Sequence, residues 1–347
     1  MCLPSERTRF SNGQGLEYAF PISYIKNTMR AIPIFTRVPE FHCMKTLASA
    51  PVTNRTLKSL GHELETDEHS FGWLEDSSTI RNDPAALQQR MDENGYLYIK
   101  GFFPSEVILE ARKALGETLS KDGIFEEGQP LIDGILKEGV NPKFHATAWK
   151  NQPAINRVVF GPEVHQFYTG FLGGAIRHFD YIWLRTMGCG HGTAPHCDIV
   201  YMGRGTHRLY TAWIPYGEVP LEVGGLMILE KSHLQADRIR NYLNSDVDTS
   251  CTNIPGHDGW KHHGQLTNNP VSLRQKFGGR WLTSEFEPGD LLTFRMDTIH
   301  GSIDNTTQRI RLSTDTRYQR SDEPVDERWV GENPIGHGPD AKLGRIC

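Results

Sequence analysis

From Tyr181 onward the chain is written in short runs of β-branched, aromatic and aliphatic residues, each closed within a few positions by glycine, proline or asparagine. YIWLRTM, HCDIVYM, RLYTAWIPY, GGLMILE, DLLTFRM and RIRLSTDTRYQ each read as a strand. Many short strands late in a chain, after helical segments, predict two sheets folded over one another with helices on the N-terminal side. The expected class is mostly β with flanking helices.

Before that point, ALQQRMDENGYLYIKGFF (86–103) reads as a short helix running into a strand at Tyr96–Ile99, closed by Gly101. SEVILEARKALGETLS reads as a second helix, with Ser105 as N-cap and Ile108, Ala111, Leu115 and Leu119 as its apolar stripe. Three regions follow: an irregular arm over 1–85, a domain over 86–320 and a Pro/Gly-rich tail over 321–347. Within the domain, 232–285 reads as a long polar insertion with little pattern. The 347 residues, 37% hydrophobic and 23% charged, suit one large domain with extensions.

A net charge of −5 argues against nucleic acid as a general partner, because phosphate binding needs a basic face. Six scattered cysteines without a C-x-x-C fit a reducing compartment. No apolar run approaches the roughly 18 residues of a membrane helix. No signal-peptide pattern follows Met1, and the C-terminal RIC is not a peroxisomal tripeptide. The expected setting is cytoplasmic, without membrane or nucleic-acid partners; oligomeric state is not legible.

The chemistry concentrates around TAPHCDIVYMGRGT (193–206). Residues two apart on a strand share a face, so His196 and Asp198 can reach one point together, as a metal pair or as a hydrogen-bonded pair. Two histidines and one carboxylate form the facial triad of non-haem Fe(II) oxygenases and leave positions open for a chelating co-substrate and dioxygen. His300, at the end of EPGDLLTFRMDTIH, qualifies as the third ligand. In RIRLSTDTRYQ, Arg309, Arg311, Ser313, Asp315 and Arg317 alternate with Ile310, Leu312, Thr314, Thr316 and Tyr318. A polar strand face is ordinarily the solvent face; only a polar barrel interior makes Arg311 functional, and periodicity does not decide between them.

Taken in order, ENGYLYIKGFF, PHCD, GGLMILEKSH, PGDLLTF and HGSIDNTTQRIRLSTDTRYQ make the chain resemble the phytanoyl-CoA dioxygenase family of Fe(II)/2-oxoglutarate enzymes. The resemblance runs from about Met91 to Gln319, and its ordered set ends in a histidine followed eleven positions later by an arginine. It implies a double-stranded β-helix (jelly-roll, cupin-like) core. It implies that His196, Asp198 and His300 bind iron and that Arg311 pairs with the 2-oxoglutarate carboxylate. Ser302 and Trp213 match positions that assist the co-substrate. Thr193, just before the pair, is a further candidate for a co-substrate hydrogen bond, although the family often has an amide or a basic residue thereabouts and Thr193 departs from that pattern. Tyr201, Met202 and Arg204, directly after the metal pair, are the substrate-side candidates.

The implied activity is oxidation of a small organic molecule, such as a secondary-metabolite intermediate, with O2 consumed and succinate and CO2 released. Asp198 fills the position that a related halogenase vacates for chloride, which favours hydroxylation, desaturation or ring closure. The rival readings are an acyl-CoA hydroxylase, a cupin-type metalloprotein without 2-oxoglutarate, and a binding protein that kept the fold. The last predicts a missing ligand, and none is missing. His178-Phe179-Asp180, a second H-x-D, reads as structural or surface. So do His191, His207, His233, His257, His262 and His263. Cys197 reads as a small buried residue on the opposite strand face.

Overall fold

The computed structural model describes residues 53–142, 152–251 and 264–337, and the backbone of Leu343–Arg345. Most of the arm, together with His257, His262 and His263, lies outside the described residues.

The described chain opens with a hairpin of β1 (Lys58–Ser59) and β2 (His62–Glu63), then β3 (Phe71–Trp73). Helix α1 (Pro84–Asn94) begins where Asp83 accepts hydrogen bonds from the Ala85 and Ala86 amides. It stops at Gly95, whose φ of 78° suits glycine. Strand β4 (Tyr96–Ile99) leads to α2 (Ser105–Ser120). Pro104, not Ser105, occupies the N-cap of α2 and no side chain caps it, while the predicted stripe Ile108, Ala111, Leu115 and Leu119 is fully buried. Helices α3 (Pro153–Val159) and α4 (Pro162–Leu172) precede β5 (Ile176–His178) and β6 (Trp183–Met187). Then come α5 (Ile199–Met202), β7 (Tyr210–Pro215), β8 (Leu226–Leu229), α6 (Arg240–Leu243) and β9 (Thr249–Cys251). Helix α7 (Pro270–Phe277), β10 (Trp281–Thr283), β11 (Leu291–Arg295), β12 (His300–Ser302), β13 (Arg311–Arg320) and β14 (Leu343–Arg345) complete the order.

Two sheets make the barrel. The larger runs β4-β11-β7-β13-β5 with β6 also on β13; the smaller runs β12-β8-β10-β3. All pairings in them are antiparallel except β10 with β3. Strand alternation sorts the larger sheet into two faces. Leu97, Ile99, Ala212, Ile214 and Leu312 share one core with Met91, Leu115, Val158 and Phe171 of the flanking helices. Tyr96, Tyr98, Trp213, Leu292 and Phe294 form another with Leu226, Ile228 and Leu282 of the smaller sheet. Each such large apolar side chain contributes roughly 1.5–3 kcal/mol on burial. This is the jelly-roll core, with helices on one side.

Strand β13 is buried from Arg311 to Gln319 on both faces. Its apolar side meets the helices, so the Arg311, Ser313, Asp315 and Arg317 side turns into the barrel. The polar face is interior here, not the solvent face.

Two strand expectations are corrected. HCDIVYM is not a strand: His196 makes an isolated bridge, and the chain turns into α5 at Asp198. DLLTFRMDTIH is not one strand either. It breaks after Arg295, and His300 opens β12 in the other sheet. Strands β10 and β3, at either end of the smaller sheet's β10–β3 pairing, come from stretches that read as patternless insertion and irregular arm.

Candidate metal centre and its two cavities

His196, Asp198 and His300 converge inside the barrel, 8%, 1% and 4% exposed. Among the described residues they form the single cluster of three side chains placed to share a metal ion, with ligand atoms within 4.8 Å of one another. The His196 Nδ1 lies 2.7 Å from the Ala194 carbonyl and the His300 Nδ1 lies 3.0 Å from the Thr298 carbonyl. A carbonyl only accepts, so both Nδ1 atoms carry a proton and the Nε2 atoms are the ones turned to the cluster. These stand 3.6 and 3.7 Å from Asp198 Oδ1. Burial first, then the neighbouring His196, lowers the His300 imidazole to about 3, which keeps it in the neutral form that ligates. Burial opposes charge on Asp198, but Arg317 and the two histidines hold its carboxyl well below the usual carboxylate range. Two imidazoles oriented through their Nδ1 atoms and one ionised carboxylate fit Fe(II) as a donor set.

A cleft opens on each side of this cluster. One is lined by His300, Ser302, Thr193, Trp213, Phe294 and Arg311. Arg311 is 3% exposed and donates through Nη1 to the Gly224 carbonyl, while its Nε has no hydrogen-bond partner among the described residues. Burial pushes its guanidinium down to about 10, so it is still a cation at neutral pH. A buried cation with a spare donor is a seat for a carboxylate. Ser302 and Thr193 are tied together: the Thr193 amide donates to Ser302 Oγ at 2.7 Å and the Ser302 amide to the Thr193 carbonyl at 3.0 Å.

The other cavity, of about 330 Å³, is lined by Tyr181, Trp183, Tyr201, Met202, Gln265 and His337, with Asp198 and His196 at its floor. Tyr201 packs edge-on against His196, ring centroids 5.5 Å apart. Arg204 is not among its lining residues; its Nε donates to Asp246 at 2.5 Å. The His337 wall belongs to a buried knot. Arg328 reaches Asp246 at 3.2 Å, Asp248 at 2.6 Å and Asp326 at 2.5 Å, and His337 Nδ1 lies 2.8 Å from Asp248. A larger groove, about 510 Å³, opens between α1 and α4 beside Phe102 and Phe167, and none of the metal-facing residues reach it.

The structure adds residues that sequence reasoning did not single out. Arg185 lines both cavities and pairs with Asp315 at 2.7 Å. Arg317 and Thr211 bond Asp198. Asp315 and Arg317 share the Arg311 face of β13, so alternation carried their signal once that face is known to be interior. His337 had none, lying far from every motif.

The sequence profile of the phytanoyl-CoA dioxygenase (PhyH) family matches residues 91–313. The chain belongs to the phytanoyl-CoA dioxygenase family. It is an iron- and 2-oxoglutarate-dependent dioxygenase, and a His-Asp-His cluster able to share a metal ion is present among the described residues. The chain is 26% identical over 266 residues to the 1-deoxypentalenic acid 11-beta-hydroxylase of Streptomyces exfoliatus, covering 70% of this chain and 84% of that protein. Solved structures share the fold. The carbocyclase SnoK from nogalamycin biosynthesis matches with a TM-score of 0.51 at 19% identity, covering 69% of this chain and 85% of that one. EctD from S. alaskensis, solved with 2-oxoglutarate and 5-hydroxyectoine, matches with a TM-score of 0.51 at 15% identity, covering 86% and 96%. Among the described residues no helix is long and apolar enough to cross a membrane.

Proposed function

We propose that His196, Asp198 and His300 hold Fe(II), that Arg311 seats 2-oxoglutarate, and that the enzyme hydroxylates a small organic molecule bound between Tyr201, Met202 and Trp183. The observation that carries this reading is the placement of the triad between two clefts of different chemistry. One ends on a buried, under-bonded guanidinium; the other is walled by aromatic side chains. A bound iron supplies the redox chemistry that couples decarboxylation of 2-oxoglutarate to oxidation of the substrate, releasing succinate and CO2.

The protein's own residues position and enclose. Arg311 takes the far carboxylate of the co-substrate, with Ser302 and Thr193 beside it and Trp213 as a wall. Tyr201 and Met202 hold the substrate carbon over the metal face and keep water from it. The likeness to a hydroxylase of 1-deoxypentalenic acid supports a compact secondary-metabolite substrate. Cys189 and Cys197, both free thiols, suit a cytoplasmic setting.

The test needs no knowledge of the substrate. Fe(II) and then 2-oxoglutarate are added anaerobically to the purified protein, and the visible metal-to-ligand charge-transfer band is recorded. The band is expected in the wild type, absent in His196→Ala and weakened in Arg311→Ala. No band in folded wild-type protein would overturn the assignment.

A further inference from the structure

We propose that Arg317 is a positioning residue which, with Thr211, fixes Asp198 as a one-oxygen metal ligand. The assignment rests on the iron site proposed above. The two oxygens of Asp198 have different surroundings. Oδ1 faces both Nε2 atoms, at 3.6 and 3.7 Å. Oδ2 accepts a hydrogen bond from Arg317 Nη2 at 2.9 Å and another from the Thr211 hydroxyl. A carboxylate free to turn can offer an ion both oxygens. One whose second oxygen already takes two hydrogen bonds offers a single oxygen, and three positions of an octahedral ion stay open.

The clamp is built into the sheet. Arg317 of β13 and Thr211 of β7 are directly paired across the strands. Both point into the barrel, and their side chains meet at the same carboxylate oxygen. Arg317 is 1% exposed, yet its Nε and Nη1 have no hydrogen-bond partner among the described residues. A guanidinium recruited only to stabilise the fold would be expected to use its other donors. Here its face is instead stacked on Trp183, with Cζ 4.1 Å from the ring centre. The aromatic face offsets part of the desolvation and leaves Nη2 aimed at Asp198.

The test uses Co(II) in place of iron, because its visible d–d bands report coordination without turnover. Wild type, Arg317→Lys, Arg317→Met and Thr211→Val are titrated anaerobically after circular dichroism shows each to be folded. Arg317→Met is expected to bind Co(II) about 10–100-fold more weakly, with altered band positions. Thr211→Val should shift the bands in the same sense, and Arg317→Lys should recover much of the affinity. If Arg317→Met does not fold, the Thr211→Val and Arg317→Lys spectra decide by the same readout. Wild-type affinity and bands in the folded variants would overturn the clamp alone. A wild-type protein that takes up no Co(II) would overturn the metal site with it.

Discussion

His196 and His300 are hydrogen-bonded to each other through their main chains. The His196 amide donates to the His300 carbonyl at 2.9 Å, and the His300 amide returns the bond at 3.0 Å. Residues paired this way in an antiparallel bridge present their side chains on one face. The two imidazoles, with ring centroids 4.2 Å apart, are therefore registered by backbone geometry.

Gly301, next to His300, protects that register. A Cβ there would stand 2.9 Å from the Thr193 carbonyl oxygen and 3.4 Å from the Pro195 nitrogen, pressing on the segment that carries His196. Gly301→Ala is expected to fold but to bind metal roughly tenfold more weakly, in the range seen when ligand-orienting groups are disturbed. Isothermal titration with Co(II) checks this; unchanged affinity would show that the bridge tolerates the displacement.

Arg311 should act on the co-substrate and not on the metal. Removing one partner of a buried charge pair costs about 2–5 kcal/mol, or roughly 30-fold and more in affinity. Arg311→Ala is expected to raise the KM for 2-oxoglutarate by at least that factor while metal affinity holds. Succinate release across a 2-oxoglutarate series reads it, and an unchanged KM would remove Arg311 from the co-substrate seat.

Tyr201 and Arg204, three residues apart, should part company. Tyr201 packs on His196 at the cavity wall, whereas Arg204 bonds Asp246. Tyr201→Ala should leave the charge-transfer band intact and abolish the stimulation of succinate release by substrate. Arg204→Ala should lower the melting temperature with little change in substrate KM. The reverse result would return Arg204 to the substrate side.

The pair of Glu230 and Arg280, bonded at 2.7 and 2.9 Å, predicts a pH effect on stability. Hydrogen bonding from Arg280 holds Glu230 below its ordinary 4.5, against the pull of partial burial. Its contribution is thus present above about pH 4.5 and is lost as pH falls through the lowered value. Both side chains are partly exposed, so the effect is no more than about 1 kcal/mol. Urea melts from pH 7 to 3 should show a shallower acid decline in Glu230→Gln than in wild type.

Much of this was legible in the sequence. The helix-strand unit at 86–103, the α2 stripe, and strands β6, β7, β8 and β13 follow from periodicity, because each buries a regular face. His196, Asp198, His300 and Arg311 stood out by type and order. What escaped has physical reasons. Strand β10 is three residues long and too short for a period to register. The break at Met296 to Ile299 is a sheet change, and β12 (His300–Ser302) is only three residues long, too short for a period to mark where the new strand begins. Arg317 and Asp315 hid because an alternating strand looks the same whether its polar side meets water or a buried site.

The knot around Arg328 holds one wall of the second cavity by contacts separate from those that hold the cluster. Arg328 engages Asp246, Asp248 and Asp326, and His337 engages Asp248, whereas His196 and His300 are held by the Ala194 and Thr298 carbonyls and by each other's main chain. A substitution in the knot therefore reshapes the cavity wall and leaves the bonds that orient His196, Asp198 and His300 in place.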